Sequence, residues 1–478
     1  MNLLLAERTT RAERRRELRW YEQASYRTRL LKIVLGLMLF GLFWAATPYY
    51  LPLKVDPDPA KAAANEAAAY AGNVSRQIAM PIVTMVALFL LWRFPLRGKV
   101  RGHLIWIVAG YILWTFVSFS WSESPETTGK RLIVFGMNLL LCYAFARTLS
   151  MTEIASLGML ACSLTLVASF FADAILQSQF APTDPSYRFQ GVMTANYQAE
   201  NLVVLLLCAL TLLQRRPRWL LPIATWGVIV LAFLYLTRAR LSAIICLILM
   251  TGMLIRIARQ RMQVAARGVV YVGIATIVVP SLVYLAFAKG ESAAQDAFMM
   301  GRTDTENTSN LSNRAPLWSE LWDTGVVLRP WRGYGYDGFW IPARVEKISF
   351  DQGWMVPHAH NTYLDQVLSI GFPGALLYIL SLWGAAFIAW RRNARERTPE
   401  SLLAAALLTW LALTGTAESV PVDPYLPTLL AYTCVMKMCL GEGTERASEK
   451  AYDTRRLLLG APLPDHLRAT VEAREAIT

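Results

Sequence analysis

The chain has 478 residues, 55% of them hydrophobic and only 17% charged, with a mean hydropathy of +0.35. That balance excludes a soluble enzyme and describes a polytopic membrane protein. The formal net charge of +13 does not point to nucleic acid, because the arginines gather in short clusters between apolar runs, a pattern that membrane topology accounts for. Cys142, Cys162, Cys208, Cys246, Cys434 and Cys439 all lie in apolar segments without CxxC or His-Cys spacing. Neither a disulfide framework nor a zinc site is expected, and they read as packing residues.

Residues 1–30 form a basic arm carrying Arg8, Arg11, Arg14, Arg15, Arg16, Arg19, Arg27 and Arg29. Its positive region is too long for a cleavable signal, and it reads as a cytoplasmic amphipathic helix on anionic lipid. Apolar runs then follow at about 31–50, 78–95, 104–121, 131–147, 154–173, 197–214, 219–236, 241–258, 268–288, 363–390, 401–419 and 424–441. Each is near the roughly 20 residues a helix needs to cross a bilayer. The expectation is an all-α integral membrane protein of about twelve transmembrane helices, because lipid forces the backbone to satisfy itself and no period-two alternation suggests a barrel. The predicted layout is nine spans over 31–288, a loop subdomain over 289–362, three spans over 363–441 and a cytoplasmic tail over 442–478.

Arg93, Arg97, Lys99 and Arg101, then Arg215, Arg216 and Arg218, then Arg256, Arg259, Arg261 and Arg267, then Arg391, Arg392, Arg395 and Arg397 fall in alternate loops. The positive-inside rule makes that side cytoplasmic. The other loops face outward: 51–77, with little chemistry; 174–196, holding Tyr187-Arg188-Phe189-Gln190-Gly191; the tight turn Thr237-Arg238-Ala239-Arg240; and 289–362. The last is far longer than an ordinary connection, which favours function or a subdomain. Within it Ser312 or Asn313 caps a predicted interfacial helix, Pro316 suits its first turn, and Leu317, Trp318, Leu321 and Trp322 share a face. Trp331, Tyr334, Tyr336, Phe339, Trp340 and Trp354 are either an aromatic belt at headgroup level or stacking platforms for sugars, and position alone does not separate the two. Gly333, Gly335 and Gly338 supply turns suited to close backbone approach to a ligand.

Arg188, Arg238, Arg240 and Arg314 lie on the outer side, where positive charge is sparse. Either they pair with Asp184, Asp304, Glu306 or Glu320, or they hold an anion, since guanidinium forks match phosphate oxygens without a metal. His358 and His360, two of only four histidines, sit where the long loop meets the next span. They are candidates for proton chemistry, or they cap or hydrogen-bond the helix start.

His360-Asn361 followed by Gly371-Phe372-Pro373-Gly374 resembles the signature of the O-antigen ligase and polymerase superfamily. Ser312-Asn313-Arg314-Ala315-Pro316-Leu317-Trp318 and Gly333 to Phe339 resemble the same family's loop elements. Thr237-Arg238-Ala239-Arg240 resembles its Thr-x-Ser-Arg turn, with Arg240 on the arginine and Ala239 in place of serine, and Arg188 to Asn196 is similar to another of its outer arginine segments. The resemblance runs from about 180 to 375. It implies a GT-C-like, metal-independent glycosyltransferase without cofactor in the bacterial inner membrane. The implied reaction moves a glycan from undecaprenyl pyrophosphate to the lipid A core at the periplasmic face. In that reading His360 is the general base and Arg240 with Arg188 neutralises the leaving pyrophosphate. Arg238, Arg314, Asn361, His358, Tyr336 and Trp340 contact substrate, with His358 supporting. A ligase leads because residues 442–478 are short and charged where a protein-glycosylating oligosaccharyltransferase carries a further periplasmic region. A repeat-unit polymerase and, from another class, a twelve-helix secondary transporter stay open, although no internal repeat is evident.

Overall fold

A computed structural model describes residues 74–93, 99–100, 102–176, 180–184, 187–215, 219–261, 314–354, 356–420 and 425–441. The basic arm, the predicted spans 31–50 and 268–288, the loop from 289 through Ser312 and Asn313, and the tail 442–478 lie outside the described residues. The helices are α1 (Val74–Arg93), α2 (Leu104–Val117), α3 (Pro125–Thr148), α4 (Met151–Phe171), α5 (Ala195–Arg215), α6 (Leu220–Leu236), α7 (Arg240–Arg261), α8 (Arg314–Leu321), α9 (Pro342–Gln352), α10 (Thr362–Glu396), α11 (Pro399–Thr414) and α12 (Leu426–Cys439). Among the described residues, six helical segments are long and apolar enough to cross a membrane, and four shorter apolar helices accompany them. Together they coincide with ten of the predicted spans. One antiparallel pairing, β1 (Lys99–Val100) with β2 (Leu440–Gly441), ties two ends of the bundle together.

Helix α5 is the centre of the bundle: Ala199 and Leu202 to Leu205 are each 0% exposed. It packs against α4, α6, α7 and α11, while α10 packs against α2, α11 and α12. Basic residues meet on one face, where the Arg256 guanidinium donates to the Asn393 carbonyl (2.7 Å), Arg215 grips Glu400 through Nη2 (2.6 Å) and Lys437 Nζ caps the Leu149 carbonyl (2.7 Å). The loop segments 187–194, 237–240, 314–361 and 415–420 lie at the opposite helix ends, referred to below as the loop face.

The loop subdomain has its own small core of Leu317, Leu321, Val326, Tyr334, Phe339 and Ile348, closed against Leu368 of α10. Leu317 and Leu321 face inward as their spacing predicts, but Trp322 turns out, 48% exposed and edge-on to Phe372. Helix α10 breaks at Gly371 (φ 70, ψ 177), with Pro373 two residues on. The backbone groups that this break releases find other partners: Tyr334 N donates to the Leu368 carbonyl (2.9 Å), Phe372 N to the Pro330 carbonyl (2.8 Å) and Trp114 Nε1 to the Ile370 carbonyl (2.9 Å). Irregular backbone at a helix break requires this complete satisfaction.

The glycines serve this contact rather than a ligand. A Cβ on Gly333 would stand 2.6 Å from the Leu368 carbonyl oxygen, and one on Gly371 2.4 Å from the Trp331 carbonyl. Both positions also have positive φ. They let the loop lie directly on α10, which corrects the expectation that these turns open toward a ligand.

Candidate active site

The geometry of the loop face is organised by Glu418. Helix α11 ends at Thr414, sooner than the apolar run implies, and the turn 415–420 folds back onto the start of α10. Thr362 N donates to the Gly415 carbonyl (2.9 Å), Thr362 Oγ1 to the Glu418 carbonyl (2.8 Å), and Val420 N to Thr362 Oγ1 (2.9 Å). Ser419 Oγ donates to Asp365 Oδ2. These bonds aim the Glu418 side chain at the loop subdomain.

Its carboxylate is shared three ways. Oε1 accepts from Arg314 Nη2 (2.5 Å) and Asn196 Nδ2 (2.8 Å), while Oε2 faces His360 Nδ1 at 3.4 Å. Burial works to raise the carboxyl; the His360 hydrogen bond and the charge of Arg314 outweigh it and hold Glu418 below the ordinary carboxylate range. From Asn196 the chain continues, because Asn196 Oδ1 accepts from Arg188 Nη2 (3.0 Å) and Arg188 Nε donates to the Thr237 carbonyl (3.2 Å). Hydrogen bonds thus link His360, Arg314, Arg188 and the Thr237-to-Arg240 turn through two residues, Glu418 and Asn196.

His360 sits in the left-handed region (φ 49), a conformation that costs a non-glycine residue about 1–2 kcal/mol. Its backbone N–H donates to His358 Nδ1 (3.3 Å), and the two rings lie 4.1 Å apart between centroids. His358 therefore braces the turn that presents His360. With Nδ1 on Glu418, Nε2 is the remaining ring nitrogen, and it is buried with no hydrogen-bond partner among the described residues. Asn361 is the N-cap of α10: its Oδ1 accepts from Tyr363 N (3.0 Å) and Leu364 N (3.1 Å), and its Nδ2 donates to the Thr416 carbonyl (3.1 Å). The helix start thus engages Asn361.

The other predicted residues divide. Arg240 opens α7 three residues after Thr237. Arg238, also in the left-handed region (φ 54), turns aside to the Asp184 carbonyl (2.8 Å) and is 9% exposed, with Nη1 unpartnered among the described residues. Arg314 pairs with Glu418, an acid outside the four weighed from sequence; Glu320 is taken by Gln352 (2.7 Å), and Asp304 and Glu306 lie outside the described residues. Trp340 acts at one remove. Its Nε1 donates to Asp365 Oδ1 (2.9 Å), and the same oxygen accepts from Ala359 N (3.1 Å), anchoring the histidine loop. Tyr336 is a core side chain, 8% exposed and 5.1 Å from Phe135 between ring centroids. Phe135 and the core around it belong to the helical bundle and not to the Glu418 group.

Two acids are absent from the residues that the sequence singles out, Glu418 and Glu200. The latter lies one turn along α5 from Asn196, is 1% exposed, and has neither carboxyl oxygen partnered among the described residues. An acid inside an apolar run is a functional signal in a membrane protein, and Glu200 and Glu418 lie in the runs 197–214 and 401–419.

Comparison with known proteins bears on the same region. Residues 202–379 match the family described as O-Antigen ligase, a segment that includes the arginine turn and the histidine loop but ends before Glu418. The chain is 22% identical over 340 residues to the exopolysaccharide production protein ExoQ of Rhizobium meliloti (strain 1021), covering 67% of this chain and 75% of that protein. The arginine turn and the His-Asn loop thus fall within a segment that is similar to the O-antigen ligase family.

Proposed function

We propose that this chain is an O-antigen ligase, transferring a glycan from undecaprenyl pyrophosphate to a sugar hydroxyl of the lipid A core at the periplasmic side of the inner membrane. The observation that carries the reading is the hydrogen-bonded series from His360 through Glu418 and Asn196 to Arg188, which couples a proton acceptor to a cationic surface. Glu418 accepts a hydrogen bond from the Nδ1–H of His360 and so holds the tautomer whose Nε2 lone pair is free to take the acceptor's proton. As the hydroxyl oxygen bonds to the anomeric carbon, the bond from that carbon to the pyrophosphate oxygen breaks and its electron pair leaves with the lipid pyrophosphate. Arg188 and Arg240, with Arg238 and Arg314 beside them, supply the positive charge that the leaving group needs, in place of a metal.

A repeat-unit polymerase is the second reading, favoured by the similarity to a protein named for exopolysaccharide production. Purified protein supplied with lipid-linked glycan and either rough lipopolysaccharide or excess lipid-linked glycan separates them. Transfer to lipopolysaccharide supports the ligase, chain growth on the lipid-linked glycan supports the polymerase, and neither product overturns both.

A further inference from the structure

Four tryptophans in and around the loop subdomain are satisfied at nitrogen, and Trp322 and Trp331 are exposed. Trp318 Nε1 donates to the Ala359 carbonyl (2.8 Å), Trp340 to Asp365 (2.9 Å), Trp121 to the Arg332 carbonyl (2.8 Å) and Trp114 to the Ile370 carbonyl (2.9 Å). Trp354 breaks the pattern: its Nε1 is buried and has no partner among the described residues. Its ring stands 5.3 Å from that of His360 between centroids, inclined at 43°. His360 Nε2 is orphaned in the same way. An indole N–H can only donate, and in a neutral imidazole whose Nδ1–H is held by a carboxylate the other nitrogen can only accept. Leaving both unmade in a buried site is unfavourable, and native structures rarely tolerate it without a function.

A hydroxyl group satisfies both atoms at once, since its hydrogen points to the imidazole while one oxygen lone pair takes the indole N–H. We infer that Trp354 binds and orients the nucleophilic hydroxyl of the acceptor sugar through Nε1–H, opposite His360 Nε2. The inference rests on the reading of His360 as general base. In the transfer step the second oxygen lone pair forms the bond to the anomeric carbon, the hydroxyl proton passes to Nε2, and the electron pair of the broken carbon–oxygen bond leaves with the lipid pyrophosphate. The indole keeps its own proton throughout.

The test uses the full-length protein in lipid nanodiscs with undecaprenyl-pyrophosphate-linked glycan and rough lipopolysaccharide. Trp354→Phe keeps an apolar ring and removes only the donor. The expected result is a 10- to 100-fold fall in kcat/KM for lipopolysaccharide, an unchanged KM for the lipid-linked glycan, and partial recovery in Trp354→His, which restores a ring N–H. Wild-type acceptor kinetics in Trp354→Phe, or an equal loss of donor binding, overturns the inference. His360→Ala run in parallel separates the two readings. An active His360→Ala removes the base reading and with it this one, whereas an inactive His360→Ala beside a fully active Trp354→Phe removes only the role of Trp354. Should Trp354→Phe not fold, a folded Trp354→His with near wild-type kinetics supports the assignment, and one as inactive as His360→Ala overturns it.

Discussion

Glu418→Gln tests the proposed mechanism most directly, because it changes one proton and almost no volume. Oε1 of Glu418 accepts two hydrogen bonds, from Arg314 and Asn196, and Oε2 faces His360 Nδ1. The single oxygen of a glutamine is held by the two donors, so its amide NH2 takes the place opposite Nδ1. Nδ1 must then accept, the ring proton moves to Nε2, and the lone pair that would receive the acceptor's proton is gone. Loss of a general base is worth about 10²–10⁴ in rate, and the wrong imidazole tautomer produces a loss of that order in the Ser-His-Asp enzymes. Turnover in Glu418→Gln is expected to fall by about 10²–10⁴, with donor affinity unchanged or tighter, because Arg188, Arg238 and Arg240 are untouched and Arg314 loses only the charge of its acid partner. Single-turnover transfer from a fluorescent lipid-linked glycan measures the first, and equilibrium binding of the same lipid the second. Turnover at the wild-type rate, or a loss that travels entirely with weaker donor binding, refutes the reasoning.

Arg314→Ala leaves a mostly buried carboxylate with one donor fewer and is expected to destabilise the protein by about 3–5 kcal/mol. Arg314→Ala combined with Glu418→Gln should cost less than the sum of the two, read by thermal unfolding in detergent. The lowered carboxyl of Glu418 gives stability that is complete above the range where a free glutamate titrates and is lost as pH falls through the lowered value. The unfolding midpoint should therefore drop on acidification, and less steeply in Glu418→Gln. Gly371→Ala places a Cβ 2.4 Å from the Trp331 carbonyl at positive φ and should lower the midpoint by several degrees, whereas Gly252→Ala, with nothing within 4 Å, should leave it unchanged or raise it. Asn361→Ala should cost about 1 kcal/mol as a lost N-cap, and Asn361→Ser should recover most of it; equal transfer defects in both variants at unchanged stability would place Asn361 at the substrate.

The sequence by itself determined that the chain is a bundle of apolar helices, because lipid leaves the backbone so few choices. A run near 20 apolar residues must be helix, and alternate arginine-rich loops must share a face. It also located the important boundary, since a histidine pair and a helix-capping asparagine at the edge of an apolar run mark where polar chain enters the bundle. The partners of those residues depended on packing. Glu418 lies 58 residues from His360, 104 from Arg314 and 222 from Asn196, and in a hydropathy average it vanished into the end of a span that in fact stops at Thr414. Spacing could not tell the glycines that seat the loop on α10 from glycines that admit a ligand, nor Tyr336 in the core from an aromatic at the site. Local periodicity is set within a few residues of chain, whereas which carboxylate meets which imidazole is decided only when helices distant in sequence come within hydrogen-bonding range.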